Sequence, residues 1–430
     1  MTQELPKVLI VSRGVWDDNG TSSTLSSIFE GYDPSRLAQI YIETKKPNTR
    51  YCSTFFQISE FSLVKKLVHW KLTTGKEIHA TYSEDTDTAH KEEAVMSYVR
   101  GHRSYFYTLL REFLWGLNGW KSKELKNFIR DFNPDVVWLT GSPLIFMNRL
   151  SRYVVKHAHC PYCIYEMDDV YSYRNCGKNP LKLLYRFRLR QLVKKLIQRS
   201  SQLFVISPKM KREFDKIFKV GSQVLTKGID YSCISYKKHE CGQPLHMVYM
   251  GQVIYGRLST LQKLGQALDK FNVGGTKIIL DVYTSNVIDE TLKTSMAQHG
   301  SVIFHQSVPY SQVTEVIEKS DIVLFVESFE KQYANVARLS FSTKITDYLQ
   351  SGKCVFAMGP RHIAPMEYFI ENDAAVVVTD ENEIQSQLER LMSQAVIDVY
   401  SSRAFECGKR NHDKIKLQQS VYDTIKEISK

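Results

Sequence analysis

The chain has 430 residues, too many for one ordinary core and suited to two; with 43% hydrophobic and 24% charged residues, disorder is excluded as the default state. The formal net charge of +11 favours an anionic partner: nucleic acid, an anionic membrane surface or a phosphorylated substrate. The start, MTQELPKVLIVS, lacks the basic run and long apolar region of a signal peptide, and runs such as VLIV and AAVVV fall far short of the ~20 residues that cross a bilayer, so a cytoplasmic protein is expected.

Short β-branched runs alternate with amphipathic helical stretches, the pattern of parallel sheets covered on both faces. In the first half the expected strands are Val8–Ser12, Ala38–Glu43, Tyr51–Ile58, Asp135–Thr140, Tyr162–Met167 and Gln202–Ile206. The polar, unpatterned run from Thr73 to Arg103 reads as a long excursion. Around Lys227 to Pro244 glycine, proline and polar residues break the alternation, as an interdomain link would. A second series follows: His246–Gly251, Lys277–Tyr283, Val302–His305, Ile322–Glu327, Cys354–Met358 and Ala375–Val378. Helices near Thr260–Lys270, Val313–Lys319, Thr343–Gln350 and Glu383–Met392 separate these strands, and the last thirty residues read as amphipathic helix. The expected fold class is thus α/β with two Rossmann-like, doubly wound domains. Such sheets bind ligands at the carboxyl ends of their strands, and two such edges facing each other make a cleft.

The densest chemical signal lies in the second half. Asp321-Ile-Val-Leu-Phe-Val-Glu327-Ser-Phe is a buried strand ending on a carboxylate, and Ser342-Thr343-Lys344-Ile-Thr-Asp347-Tyr-Leu-Gln-Ser-Gly352 is a helix with hydroxyls at its start and a glycine at its end. Hydroxyls and a lysine at a helix start make an anion site. Lys344 and Asp347, three apart, share a face; lysine on a phosphate and aspartate on a sugar diol would suit a nucleoside diphosphate. The alternative is a capped helix with a surface Lys–Asp pair. Upstream, Val248-Tyr-Met-Gly251-Gln-Val-Ile-Tyr-Gly256-Arg257 is a strand, a glycine-bearing turn and a basic residue.

These segments, with Pro365-Met-Glu-Tyr-Phe-Ile-Glu-Asn-Asp-Ala-Ala-Val, resemble the donor half of GT-B glycosyltransferases, close to glycosyltransferase family 4; the likeness is specific over residues 245–380 and looser over the first 230. The resemblance implies a GT-B pair of domains with a cleft between them: an acceptor domain at 1–228, a link at 229–243, a donor domain at 244–400, and a C-terminal helix at 401–430 packing back on the first domain. It implies transfer of a sugar from a nucleoside-diphosphate sugar to a glycan or lipid-linked acceptor, with retention of anomeric configuration, in cell-surface polysaccharide assembly. It places Gly251, Arg257, Ser342, Thr343, Lys344 and Asp347 at the donor, with Arg257 on the diphosphate and no catalytic metal or cofactor. Lys263 is a further basic candidate. The sequence departs from the family where many members carry a first glutamate: Leu339 stands there. Glu327 as the catalytic, sugar-side carboxylate, or Glu330, fills that role instead.

In the first half, Arg13-Gly14-Val-Trp-Asp-Asp-Asn19-Gly20 is a strand-to-helix loop without the G-x-G-x-x-G pattern of dinucleotide sites. By resemblance Gly14, Asn19 and Gly20 form a phosphate or acceptor loop; otherwise it is a plain β–α turn. Asp168 and Asp169, after another strand, either touch the acceptor or cap. The stretch Leu181–Ser200 carries seven Lys or Arg and no acid. It is either a peripheral helix on the inner face of an anionic membrane or a packed helix with a solvated basic face. Among eight cysteines, Cys160-Pro-Tyr-Cys163 matches a dithiol spacing but leads into a strand rather than a helix, and His157 and His159 have no second ligand pair at a finger-like spacing. A structural role is expected for all four. Two other readings stay open. One is a GT-B epimerase or phosphorylase; the other is a non-catalytic anion-binding protein, although no compact nucleic-acid module is present.

Overall fold

The computed structural model describes residues 4–18, 23–69, 71–79, 105–174, 176–296 and 300–430. The chain forms two compact units: Met1–Ile206 with Lys211–Leu225 and Lys416–Lys430, and Ser207–Met210 with Thr226–Ile415.

The first unit is built on a sheet of β1 (Val8–Val11), β2 (Leu37–Tyr41), β3 (Thr54–Gln57), β4 (Lys76–His79), β5 (Val136–Thr140), β6 (Tyr162–Glu166), β7 (Gln202–Val205) and β8 (Gln223–Val224), in the order β4-β3-β2-β1-β5-β6-β7-β8. All pairs are parallel except β3–β4. The connecting helices are α1 (Ser23–Phe29), α2 (Glu60–Val68), α3 (Tyr105–Gly116), α4 (Lys123–Phe132), α5 (Ile145–Ala158), α6 (Pro180–Ile197) and α7 (Pro208–Phe218). The strands β1, β2 and β6 are buried along their whole length, as expected where helices cover both faces of a sheet.

In the second unit β9 (Leu245–Met250), β10 (Ile278–Thr284), β11 (Val302–Gln306), β12 (Ile322–Val326), β13 (Cys354–Met358) and β14 (Val376–Val378) form one parallel sheet in the order β11-β10-β9-β12-β13-β14. This is the 3-2-1-4-5-6 order of the dinucleotide-binding sheet, in which the chain changes direction between the first and fourth strands. Its helices are α8 (Arg257–Phe271), α9 (Glu290–Met296), α10 (Tyr310–Glu318), α11 (Lys331–Ala337), α12 (Lys344–Gln350), α13 (Ala364–Asn372), α14 (Ile384–Leu391) and α15 (Gln394–Asn411). Leu261, Leu264 and Leu268 of α8 pack on Met247, Leu280 and Leu324 of the strands. The last helix, α16 (Lys414–Ile428), lies mostly in the first unit, where Gln418 Nε2 donates to the Ser27 and Glu30 carbonyls at 2.9 and 3.0 Å.

Each expected strand is present, with ends shifted by up to three residues: Tyr51–Ile58, for example, narrows to Thr54–Gln57. Two strands were not expected. Lys76–His79, inside the run read as an excursion, is the antiparallel edge strand β4; its exposed polar pattern carries no alternation to announce it. The rest of that run, 80–103, lies outside the described residues. The two-residue β8 is too short to leave a pattern. Residues 229–243 fall within the second unit. Among the described residues no helix is long and apolar enough to cross a membrane.

Candidate functional site

A cavity of about 280 Å³ opens at the carboxyl end of the second sheet. Its walls come from the end of β9 (Tyr249, Gly251, Gln252), the end of β12 (Leu324 to Glu327), the first residue of α8 (Arg257), and Ser342, Lys344 and Tyr348 of α12 and its approach. β9 and β12 are the neighbouring strands whose connections run opposite ways, so the cavity occupies the switch point where doubly wound sheets take ligands.

Backbone geometry at Gly251 brings the cations in. It has φ +143°, and a side chain there would place its Cβ 1.7 Å from Lys344 Nζ. Only glycine lets the ammonium lie against the strand end. Lys344 Nζ also sits 5.3 Å from the centroid of the buried Tyr249 ring. Burial, and then the Arg257 charge, push the Lys344 pKa down to about 8, with Glu327 acting in the opposite sense. Burial opposes the Arg257 charge too, but the Glu327 carboxylate, with Tyr249 and Tyr255 adding to it, leaves the guanidinium pKa raised.

Arg257 and Glu327 are joined to each other. Nε donates to Oε2 at 3.1 Å and Nη2 to Oε1 at 2.8 Å, a two-point ion pair. The residue expected on the diphosphate is thus held by the residue expected at the sugar. Glu330 is exposed, accepts from Gln332 and does not line the cavity. Leu339, where the family's first glutamate would stand, is completely buried.

Asp347 accepts from Lys227 Nζ at 2.5 Å. The surface pairing of Lys344 with Asp347 does not form, because Lys344 turns to Gly251 and Asp347 to a lysine 120 positions earlier in the chain. Burial raises the Asp347 pKa, with Lys227 opposing. Thr343 occupies the N-cap of α12 but makes no capping hydrogen bond; the cap expected from Ser342 or Thr343 is absent because the backbone at Thr343 is already helical. Of the expected donor residues, Gly251, Arg257, Ser342 and Lys344 line the cavity with Glu327, whereas Thr343 and Asp347 do not. Lys263 pairs with Glu381 instead. Lys227, Tyr249 and Tyr348 were missed: no local pattern marks residues whose neighbours lie about a hundred positions away in the chain.

In the first unit, the Gly14 carbonyl accepts from Ser12 Oγ at 2.7 Å and from Gln39 Nε2 at 3.1 Å. Asn19 and Gly20 lie outside the described residues. Asp168 is exposed. Asp169 is buried and accepts from the Ser172 amide (2.9 Å) and hydroxyl (2.6 Å), which closes a turn; it caps no helix, since α6 is capped by Asn179. The neighbour that sequence reading passed over is Glu166, the last residue of β6. It is 3% exposed and its Oε2 has no hydrogen-bond partner. The carboxyl lies so close to Gly141 that a Cβ there would fall 1.9 Å from Oε2.

Burial, with Asp168 and Asp169 adding to it, pushes the Glu166 pKa from 4.5 up to about 8. The folded chain therefore keeps this proton over a range where the unfolded chain has lost it. Stability is greatest below about pH 4.5 for this group and declines as pH rises towards 8, by up to about 1.4 kcal/mol per pH unit. Glu166→Gln keeps the shape without the titration. Urea midpoints measured at pH 5, 6.5 and 8 should fall less steeply in the variant than in the parent; parallel slopes would show that Glu166 is ionised in the native chain.

Burial raises both thiols of the Cys160–Cys163 pair, Cys160 to about 11, which disfavours the thiolate that redox chemistry needs. Elsewhere, donor atoms of His239, Cys241 and Asp321 lie within 4.8 Å of one another. Asp321 there accepts from the His246 amide (2.7 Å), the Gly242 amide (3.3 Å) and His239 Nε2 (2.7 Å). These bonds tie the segment before β9 to the start of β12.

Two Rossmann-like α/β units with a basic cavity at the switch point of the second define the GT-B fold. Solved structures share it. An α,α-trehalose 6-phosphate synthase from Burkholderia multivorans superimposes with a TM-score of 0.62 at 10% identity, covering 99% of this chain and 97% of that one. A TarM mutant from S. aureus, in complex with fondaparinux, α-GlcNAc-glycerol and UDP, gives 0.61 at 8% identity, covering 98% and 100%. A trehalose-6-phosphate protein from E. coli bound with UDP-2-fluoro glucose gives 0.57 at 10% identity, covering 98% and 99%. No protein-family model matches the chain. No curated protein matches it either.

Proposed function

We propose that the protein is a glycosyltransferase that takes a sugar from a nucleoside-diphosphate sugar through the cavity of the second unit. The observation that carries this reading is the meeting of Lys344 and Arg257 over a side-chain-free strand end at the switch point. Departure of a diphosphate builds negative charge. Two fixed cations stabilise it best where burial has removed competing water. Arg257 would take the diphosphate, held in position by Glu327, and Lys344 would add the second charge. This scheme calls for no divalent cation. Glu327 keeps its proposed place at the sugar end, and Asp347, one helical turn from Lys344, is the proposed ribose ligand. Retention of configuration follows from the family 4 resemblance. The UDP and UDP-sugar complexes of the structural neighbours agree with a nucleotide-sugar donor.

For the acceptor we propose a glycan or lipid-linked saccharide of cell-surface polysaccharide assembly, met at an anionic membrane surface. The support is in α6. Leu189, Val193, Leu196 and Ile197 are buried in its second half, while Leu181, Leu184 and Phe187 in its first half are 57%, 51% and 52% exposed among basic residues. Tyr185 of α6 bonds Glu112 of α3, and Arg111 of α3 pairs with Glu60 of α2. Phe113 and Leu67 on those helices are exposed as well.

The test is a thermal-shift series with UDP, GDP, ADP and CDP and their sugars, on the parent and on Lys344→Ala. Stabilisation by one nucleotide, reduced at least about tenfold in affinity by the substitution, is the expected result. Equal stabilisation of parent and variant would overturn the assignment of the cavity.

A further inference from the structure

A second basic depression, of about 610 Å³, lies wholly within the first unit. Helix α5 supplies one wall. Arg149, Arg152 and Lys156, with Tyr153 and His157, fall at positions i, i+3, i+4, i+7 and i+8 and so share one face. Lys195 in the last turn of α6, Arg199 just beyond it, and Lys121 between α3 and α4 complete the rim. All six cations are exposed, none forms an ion pair among the described residues, and no described aspartate or glutamate lines the depression. Some cations elsewhere in this unit do meet carboxylates, as Arg111 does with Glu60 and Lys211 with Asp215. Six like charges around one hollow repel one another until an anion enters.

The floor is aromatic. Trp120, Tyr162 and Leu196 are buried. Trp120 Nε1 donates to the Trp115 carbonyl and Tyr162 OH to the Leu196 carbonyl, so both polar groups are satisfied. The Tyr153 hydroxyl, shielded from solvent, has no partner, and a buried polar group without one calls for a ligand or water. Tyr153 stands between Trp120 and His157, with ring centroids at 5.1 and 4.3 Å. Burial and the charges of Lys126, Lys156 and His159 hold the His157 pKa below its ordinary value, as a field of cations should. Helix ends do not account for the whole cluster: α5 and α6 direct their negative poles towards Lys156 and Lys195, but Arg149 and Arg152 lie in the body of α5. Tyr162 opens β6, so the hollow lies at the amino edge of the sheet, away from the edge where doubly wound units take ligands.

We propose that this depression binds a ligand carrying two or more phosphate groups, its oxygens on the guanidinium and ammonium rim and one of them accepting from the Tyr153 hydroxyl. Guanidinium forks match phosphate oxygens at two points, and the volume exceeds what a single phosphate fills. The inference does not depend on the function proposed for the second unit.

Inorganic tripolyphosphate is the probe, titrated by calorimetry at several salt concentrations into the full chain carrying Lys344→Ala, which weakens any competing site in the second unit. Binding should weaken at least about tenfold in the Arg152→Ala/Lys156→Ala double variant, whose exposed positions leave the thermal midpoint unchanged. Tyr153→Phe should weaken binding while leaving its salt dependence as in the parent, because no charge is lost. Co-sedimentation with cardiolipin vesicles, whose headgroup carries two phosphates, separates the sources. Vesicle binding lost in the double variant identifies a lipid headgroup, and tripolyphosphate binding without it identifies a soluble phosphate; either supports the site. Absence of binding to both probes, or binding equal in parent and double variant, overturns it.

Discussion

Glu327→Ala should lower the thermal midpoint of the chain by roughly 6–12 °C, the equivalent of about 3 kcal/mol in a unit of this size. The Arg257 and Glu327 side chains are only 22% and 7% exposed. Removing the carboxylate leaves a guanidinium largely out of water with both of its Glu327 bonds broken. Most of the cost is that uncompensated charge rather than the net worth of the pair. Glu327→Gln keeps one acceptor for Arg257 and should cost less than half as much. The two variants also separate stability from chemistry. If Glu327 only positions Arg257, nucleotide affinity falls with the stability loss in both. If it also acts at the sugar, Glu327→Gln retains nucleotide affinity yet loses turnover. Differential scanning calorimetry beside nucleotide titration reads both quantities. An unchanged midpoint in Glu327→Ala would mean that the ion pair contributes nothing in solution.

A second large effect is expected in the pH dependence of nucleotide binding. With its pKa pushed down to about 8, Lys344 is charged at neutral pH and loses its proton a little above it. A bound diphosphate favours the ammonium and raises that pKa, so binding between pH 8 and 10 takes up a proton. Affinity should therefore be level up to about pH 7.5 and then fall, approaching tenfold per pH unit. Arginine holds its charge throughout this range, so a Lys344→Arg variant that still binds should show a flat profile. Gly251→Ala gives the steric counterpart. Its Cβ would land on Lys344 Nζ at a backbone angle that side chains rarely adopt. The lysine tip can swing away, so the fold should survive while nucleotide affinity drops. A profile falling equally in Lys344→Ala would assign the titration to another group.

Both expectations depend on how the cavity is assembled, and its parts differ in how visible they are in the chain. The strand ending at Glu327, the glycine of Gly251 and the basic helix start at Lys344 are each a local pattern, and each lines the cavity. Their mutual contacts are not local. Arg257 reaches Glu327 across 70 positions, and Lys227 reaches Asp347 across 120. A lysine three residues before an aspartate on a helix reads as a pair, yet here Asp347 pairs with Lys227 and Lys344 turns to the strand end at Gly251. Glu166 gave no signal, since a glutamate between tyrosine and methionine looks the same whether its carboxyl is wet or dry. The basic depression was hidden for a similar reason. Its cations are spread over Lys121, α5 and the end of α6, and only the α6 portion forms a run in the sequence.

The sequence by itself determined the two series of buried strands, the helices between them and the candidate donor segment, because periodicity, β-branched runs and turn residues act over a few positions. Tertiary structure alone decided which charges meet: the Arg257–Glu327 clamp, the Lys227–Asp347 pair, the dry carboxyl of Glu166 and the unpaired cations around Tyr153. Strand order places residues tens to more than a hundred positions apart side by side, and the strength of a charge depends on its partners and on the water removed around it, neither of which is a property of any short stretch of chain.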